Sequence, residues 1–250
     1  MQNFQWHIVP LLNPDGYEYS HGNSDPERYQ DHQRMWRKNM RPPLATDPIC
    51  DLKFWVGNGP GVDLNRNFPY RWDNYVPYYP YVSPKCLETW HGDSSFSEPE
   101  TQAIRDYIGN HTNIIASIQV HSYKQSIMYD YMNETSAIKR QRIEDVAEAM
   151  SDAIFEELSV RYSHGSSSCL LPYEADGTSM DWYFTEGIDY SYTIELSPTT
   201  NPPGFHEKEE NILKISEHLE IAMKALASKL MSFSNLSLQV LQRCYGESYK

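Results

Sequence analysis

The chain has 250 residues, a formal net charge of −13 and 40% hydrophobic residues. This length and composition suit one large domain with a buried core, in preference to two small domains. The negative charge argues against nucleic acid or an anionic membrane surface as a partner, and no apolar run is long enough to span a bilayer.

The N-terminal part predicts one strand followed mostly by loops. Residues 6–9 have the composition of a strand and lead into a turn at residues 13–16. A basic cluster occupies residues 34–41, and such a charge run most often forms a solvated face. Within this cluster Arg37 follows Trp36, whose ring could hold the guanidinium group by stacking.

Residues 61–68 combine an acid, two amides and an arginine between glycine and proline residues, which predicts a loop. The guanidinium group of Arg66 offers a planar fork of donors that suits a carboxylate. Asn65 and Asn67 can add amide donors beside it. Alternatively, the stretch is an ordinary surface turn with a solvated arginine.

The rest of the chain alternates helices and strands. Ser97 and Glu100 match a capping box with Pro99 in the first turn, so a helix should begin there. This helix is predicted to end near residue 108. Hydrophobic spacing then predicts a strand over 114–120, a helix over 136–159, a strand over 190–194 and a helix over about 207–231. The tail, residues 232–250, is weakly patterned.

This alternation favours an α/β fold with a largely parallel sheet. Ligands of such sheets bind beyond the carboxyl ends of the strands, and His121 and Glu195 each follow the end of a predicted strand. His121 could be a metal ligand, a general base or a hydrogen-bonded structural residue. Glu195 is either a general base whose pKa is raised by apolar neighbours or half of a buried salt bridge.

Two further features bear on function. Tyr173 precedes a turn signal at residues 174–177, so it could close over a substrate, although a loop tyrosine is more often only amphipathic cover. A bridge between Cys50 and Cys86 would staple the loop that carries residues 61–68.

Secretion has weak support from three glycosylation sequons, at Asn110, Asn133 and Asn235. Residues 1–6 lack the basic start and apolar core of a signal peptide, so we expect the natural N-terminus to lie upstream.

Taken together, these motifs occur in the order found in the funnelin metallocarboxypeptidases. The resemblance is to the carboxypeptidase A/B branch, and it extends over residues 4–231. It rests on residues 13–16, 36–38, 61–68, 86–92, 97–101, 121–123, 173, 181–182 and 192–196.

The resemblance implies roles for the residues that carry chemistry. Glu195 resembles the general base that activates the zinc-bound water, and Arg37 resembles the residue that holds the oxyanion. His121 resembles the third zinc ligand. Asn65 and Arg66 resemble the clamp on the terminal carboxylate of the substrate.

The remaining matches concern the substrate and the scaffold. Tyr173 resembles the tyrosine that covers the terminal carboxylate, and Tyr123 and Phe205 resemble aromatic subsite residues. Met180 stands where an acid would select Lys or Arg, so it implies an apolar or aromatic terminal residue, and Thr193 beside it is neutral. Cys50 and Cys86 resemble a family disulfide.

The family binds one zinc ion through a His-x-x-Glu motif and a distant histidine. That motif should precede residues 13–16, but residues 1–12 contain a single histidine, His7, and no glutamate. Asp63 resembles the acid that supports the first zinc-binding histidine. His206 and Glu209 have the His-x-x-Glu spacing, but they stand on the wrong side of Glu195 and better suit the first turn of a helix. We therefore expect that this chain alone does not hold Zn²⁺.

The sequence thus predicts an α/β, carboxypeptidase A-like fold whose mixed, largely parallel twisted sheet lacks its N-terminal strands. Residues 1–231 form an incomplete peptidase domain and residues 232–250 a C-terminal extension. The expected protein is a secreted, monomeric zinc exopeptidase that acts on peptide or protein C-termini and has no membrane span. The alternative is an inactive truncated form, or a pseudoenzyme that binds C-termini without zinc.

Overall fold

A computed structural model describes residues 4–21, 34–48, 50, 60–74, 76–77, 81–131, 136–200 and 203–245, the stretch 235–245 by its backbone. The chain divides into two compact units. The first comprises residues 1–6, 118–172 and 189–250, and the second comprises residues 7–117 and 173–188.

Helices and strands alternate along most of the described chain. The helices are α1 (Pro14–Ser20), α2 (Pro99–Gly109), α3 (Ala137–Leu158), α4 (Ser167–Leu170), α5 (Ser179–Thr185) and α6 (Ile212–Tyr245). The strands are β1 (Ala116–Ser122), β2 (Ser126–Tyr129), β3 (Ser163–Ser166) and β4 (Tyr190–Leu196). Short 3₁₀ turns occupy Leu64–Arg66, Trp72–Asn74, Pro84–Cys86 and Glu209–Asn211.

The sheet has the strand order β1-β4-β2-β3 in the described residues. Strand β2 pairs in parallel with β3, with Ser126 opposite Ser163, and antiparallel with β4, with Ser126 opposite Glu195. All four residues of β2 are buried, as expected of a central strand. The sheet is therefore mixed and flanked by helices, which confirms the predicted α/β class.

Helices α3 and α6 pack against each other in the first unit through their apolar stripes. Ser136 caps α3 by accepting a hydrogen bond from the backbone N–H of Lys139, and Ser159 ends the helix in the left-handed conformation. Residues at a spacing of three or four bury the facing sides. They are Ile143, Val146, Met150 and Ile154 on α3, and Ile221, Ala222, Leu226 and Leu230 on α6.

The second unit has an aromatic core beside the loop at residues 61–68. Phe68 stacks on Trp182 with ring centroids 5.3 Å apart, and Ile104 of α2 completes the buried cluster. Phe96 packs edge-on against Phe68. The predicted disulfide between Cys50 and Cys86 is present in this unit.

Several predicted elements were wrong in type or extent. Residues 6–9 form no strand, because no described strand pairs with them, and Ile8 is 79% exposed. Residues 13–16 open helix α1, in which the side chain of Asn13 accepts from the N–H of Gly16. The capping box is absent, because Ser97 donates to Glu98 instead of capping α2. Helix α6 continues without a break from Ile212 past residue 231 to Tyr245.

Candidate catalytic and substrate-binding residues

Residues 63–67, which we call the clamp turn, form a tight turn in the second unit. Asp63 begins it, and its Oδ1 accepts a hydrogen bond from the N–H of Asn65 at 3.1 Å. The side-chain amide of Asn67 donates to the carbonyl groups of His91 and Ser94, at 2.8 and 2.9 Å. Anchored at both ends, the turn holds Asn65 and Arg66 in fixed backbone positions.

Arg37 is held by the same aspartate that begins the clamp turn. Its Nε donates to Asp63 Oδ2 at 2.7 Å, and the Asp63 side chain is only 3% exposed. The neighbouring negative charge of Asp63 raises the pKa of Arg37 and keeps the guanidinium charged. The predicted stacking partner Trp36 packs against Tyr19 instead, so a carboxylate and not an indole positions Arg37.

The segment 177–179 docks directly on the clamp turn. Gly177 has a φ of +69°, and a Cβ there would lie 2.3 Å from the carbonyl oxygen of Arg66, so only glycine fits. Phe68 N–H donates to the Gly177 carbonyl, and the N–H and Oγ of Ser179 both donate to Asn65 Oδ1 at 3.0 Å. These contacts fix the side chain of Asn65 as well as its backbone.

Tyr173 and Met180 flank this docked segment. The Tyr173 side chain is half-exposed and lies near the guanidinium group of Arg37. Met180 is buried within α5. The second unit therefore contains Arg37, Asn65, Arg66, Tyr173 and Met180 of the predicted site.

The first unit contains the other predicted site residues. His121 and Glu195 are each the penultimate residue of a strand, β1 and β4, and these strands are neighbours in the sheet. The prediction that both residues follow their strands was therefore wrong by two positions. Tyr123 packs edge-on against Phe205 at 4.7 Å between ring centroids, and the Thr193 hydroxyl donates to Gln119 at 3.4 Å.

Zinc does not fit the described residues alone. No group of three or more His, Cys, Asp or Glu side chains in the described ranges is arranged to hold a metal ion. Asp63, which the resemblance assigns to a zinc-binding histidine, binds Arg37 here. Glu209 lies in the first turn of the 3₁₀ helix that precedes α6. This position agrees with the interpretation of Glu209 as an acidic residue in the first turn of a helix.

Sequence reasoning missed three residues that support the site. The basic cluster was expected to be a solvated face, yet Lys38 is fully buried and donates to the carbonyl group of Lys85 at 2.9 Å. Burial lowers the pKa of Lys38 to about 8. Ser179 and Gly177 were also missed as anchors, although Gly177 lay within a recognised turn signal.

Comparison with known proteins identifies the family. The sequence profile of the zinc carboxypeptidases, peptidase family M14, matches residues 1–220. Carboxypeptidase A5 of Macaca fascicularis is 35% identical over 195 residues, which cover 77% of this chain and 38% of that protein. The chain therefore belongs to the zinc carboxypeptidase family, whose members are hydrolases.

Solved structures agree with this assignment. Carboxypeptidase A from Helicoverpa armigera superposes with a TM-score of 0.69 at 30% identity, covering 89% of this chain and 50% of that one. Bovine thrombin-activatable fibrinolysis inhibitor, solved with a tick carboxypeptidase inhibitor, gives a TM-score of 0.69 at 32% identity, covering 89% and 68%. The predicted carboxypeptidase A-like fold is thus confirmed. The chain spans less than half of the length of the first relative.

Proposed function

We propose that this chain supplies the substrate-binding and proton-transfer residues of an exopeptidase that removes C-terminal residues from peptides. The observation that carries this proposal is the clamp turn. There, Asn65 and Arg66 offer amide and guanidinium donors from a backbone that Asp63 fixes. A planar guanidinium group beside an amide suits the terminal carboxylate that distinguishes an exopeptidase substrate.

Arg37 and Glu195 are the proposed catalytic residues. The ion pair with Asp63 keeps Arg37 charged and oriented, which suits a group that stabilises a developing oxyanion. Glu195 takes the proton from the attacking water and passes it to the leaving amine. The family implies a Zn²⁺ ion, and His121 would be one of the residues that hold it.

The terminal residue of the substrate is proposed to be apolar or aromatic. Met180 is buried and carries no charge that could pair with Lys or Arg, and Thr193 is neutral. Tyr173 would cover the terminal carboxylate, and the Tyr123–Phe205 pair would contact the substrate as an aromatic subsite.

Secretion and a monomeric state complete the proposal. The Cys50–Cys86 disulfide supports an oxidising compartment. None of the described helices is long and apolar enough to cross a membrane. The proposed partners are peptide or protein C-termini.

Binding of peptides by the purified chain tests the proposal. A fluorescein-labelled peptide that ends in phenylalanine should bind more tightly as the free acid than as the C-terminal amide. Loss of the guanidinium group in Arg66→Ala should weaken binding of the free-acid peptide about 10–100-fold. This change in affinity corresponds to the free energy that hydrogen bonds to a charged group contribute. Arg105→Ala, at an exposed arginine in α2, is the matched control and should change nothing. Equal binding of acid and amide would refute the clamp.

A second candidate function is binding without hydrolysis. It is favoured by the contacts that hold the clamp turn, which need no metal ion. Release of phenylalanine from the same peptide, followed by mass spectrometry with added Zn²⁺ and with a chelator, separates the two. Release that the chelator abolishes supports the exopeptidase, and tight binding without release supports the second function.

A further inference from the structure

We propose that Ser179 is a positioning residue that sets the orientation of the Asn65 carboxamide and thereby makes the clamp selective for a carboxylate. The inference rests on the proposed function, because it concerns how the clamp distinguishes a free C-terminus. Ser179 is 7% exposed and begins helix α5.

The hydrogen bonds of Ser179 define which atom of the carboxamide faces it. Its backbone N–H and its hydroxyl both donate to Asn65 Oδ1 at 3.0 Å. A backbone N–H can only donate, so the atom opposite it must be the amide oxygen. The NH₂ group of Asn65 consequently lies on the side of the carboxamide away from Ser179. A flipped carboxamide would set its own N–H groups against the Ser179 backbone donor.

This orientation matters because a carboxylate has acceptors only. The NH₂ group attracts a terminal carboxylate, whereas the amide oxygen repels it. The backbone of Asn65 is already fixed, since its N–H donates to Asp63 and its carbonyl group accepts from Arg66 Nη1 at 2.6 Å. The side chain of Asn65 can still rotate, and the two hydrogen bonds from Ser179 restrict that rotation.

Ser179 also joins two parts of the proposed recognition site. The next residue is Met180, which we propose to contact the terminal side chain of the substrate. Both residues lie in the first turn of α5, where Thr178 caps the helix by accepting from the N–H of Asp181. The residue that orients the carboxylate clamp is therefore covalently next to the residue that selects the side chain.

Two substitutions remove either one donor of Ser179 or both. Ser179→Ala removes the hydroxyl and keeps the N–H. Ser179→Pro removes both, and proline is well tolerated as the first residue of a helix. Thr178 has a φ of −80° and a ψ of 152°, which a following proline permits. Thr185→Ala, at an exposed residue of the same helix, is the matched control.

The first readout is the ratio of affinities for the phenylalanine-terminated peptide as free acid and as amide. We expect Ser179→Ala to lower this ratio about fivefold and Ser179→Pro to lower it further, while Thr185→Ala leaves it unchanged. In an Asn65→Ala background, Ser179→Ala should have no further effect, because the group that it orients is gone. An unchanged ratio, or equal losses with and without Asn65, overturns the proposal.

The second readout does not depend on peptide binding. In ¹⁵N relaxation measurements on the free chain, the side-chain NH₂ of Asn65 should be ordered, and Ser179→Pro should make it mobile. A carboxamide that stays equally ordered in Ser179→Pro overturns the positioning role, even if the chain binds no peptide. Conversely, a wild-type chain that binds acid and amide equally refutes the proposed function, while the relaxation data still decide the role of Ser179.

Discussion

At the scale of single residues, the second unit buries charge beside its proposed site. Lys38 follows Arg37 in the sequence and is fully buried, with its ammonium group near Asp63 and Glu88. Desolvation is the largest influence, and it lowers the pKa of Lys38 from 10.5 to about 8. At neutral pH the protein therefore carries a buried charge that opposes folding.

Removal of this charge should change how stability depends on pH. Because the pKa of folded Lys38 lies below its unfolded value, the unfolded state binds more protons between pH 8 and 10.5. The wild type should therefore gain stability relative to Lys38→Met across this window, by up to about 3 kcal/mol. Urea denaturation at pH 7.5, 9 and 10 measures the difference.

The control for this experiment is Lys208→Met, because the side chain of Lys208 is 73% exposed. Its difference in unfolding free energy from the wild type should not change with pH. A flat difference for Lys38→Met as well would show that the buried amine stays charged throughout.

At the scale of elements, the loop before α5 and the clamp turn behave as one packed piece. Gly177→Ala should destabilise the protein for two reasons. The backbone has a φ of +69°, and the added Cβ would lie 2.3 Å from the Arg66 carbonyl oxygen. Gly187 has a φ of +87° but open space around its Cβ position, so Gly187→Ala should show only the backbone effect, about 1–2 kcal/mol.

Urea midpoints and peptide affinities distinguish the two glycine variants. Gly177→Ala should lose about 1–3 kcal/mol more stability than Gly187→Ala, and it alone should weaken binding of the free-acid peptide. If both variants lose equal stability and bind alike, the loop does not support the clamp turn.

The elements also differ in how well the sequence predicts them. Helix α3 was predicted within one residue at each end, because its apolar stripe is a local signal. Residues 6–9 carry an equally clear strand signal, yet a strand needs a partner, which local composition does not report. The predicted bounds of β1 differ from the observed bounds by two residues at each end for the same reason, because strand pairing and not hydrophobicity decides where a strand ends.

At the scale of the whole molecule, the order of motifs predicts the family and the fold but not the contacts that support the site. The Arg37–Asp63 pair joins residues 26 apart in sequence, and Ser179 reaches Asn65 across 114 residues. No periodicity or short motif encodes such distant pairs. The buried state of Lys38 was missed for a similar reason, because the segments that cover it are distant in sequence.

The Cys50–Cys86 disulfide closes a loop with a sequence separation of 36 that contains the clamp turn. Removing the cross-link in Cys50→Ala/Cys86→Ala enlarges the conformational freedom of the unfolded chain, and we expect a loss of about 2–4 kcal/mol in unfolding free energy. Cys169→Ser is the control, since Cys169 is exposed and free. Urea denaturation under oxidising conditions measures the loss, and adding a reductant should bring the wild type close to the double variant. A double variant as stable as Cys169→Ser would show that the packing around Phe68 and Trp182 holds the loop without the covalent link.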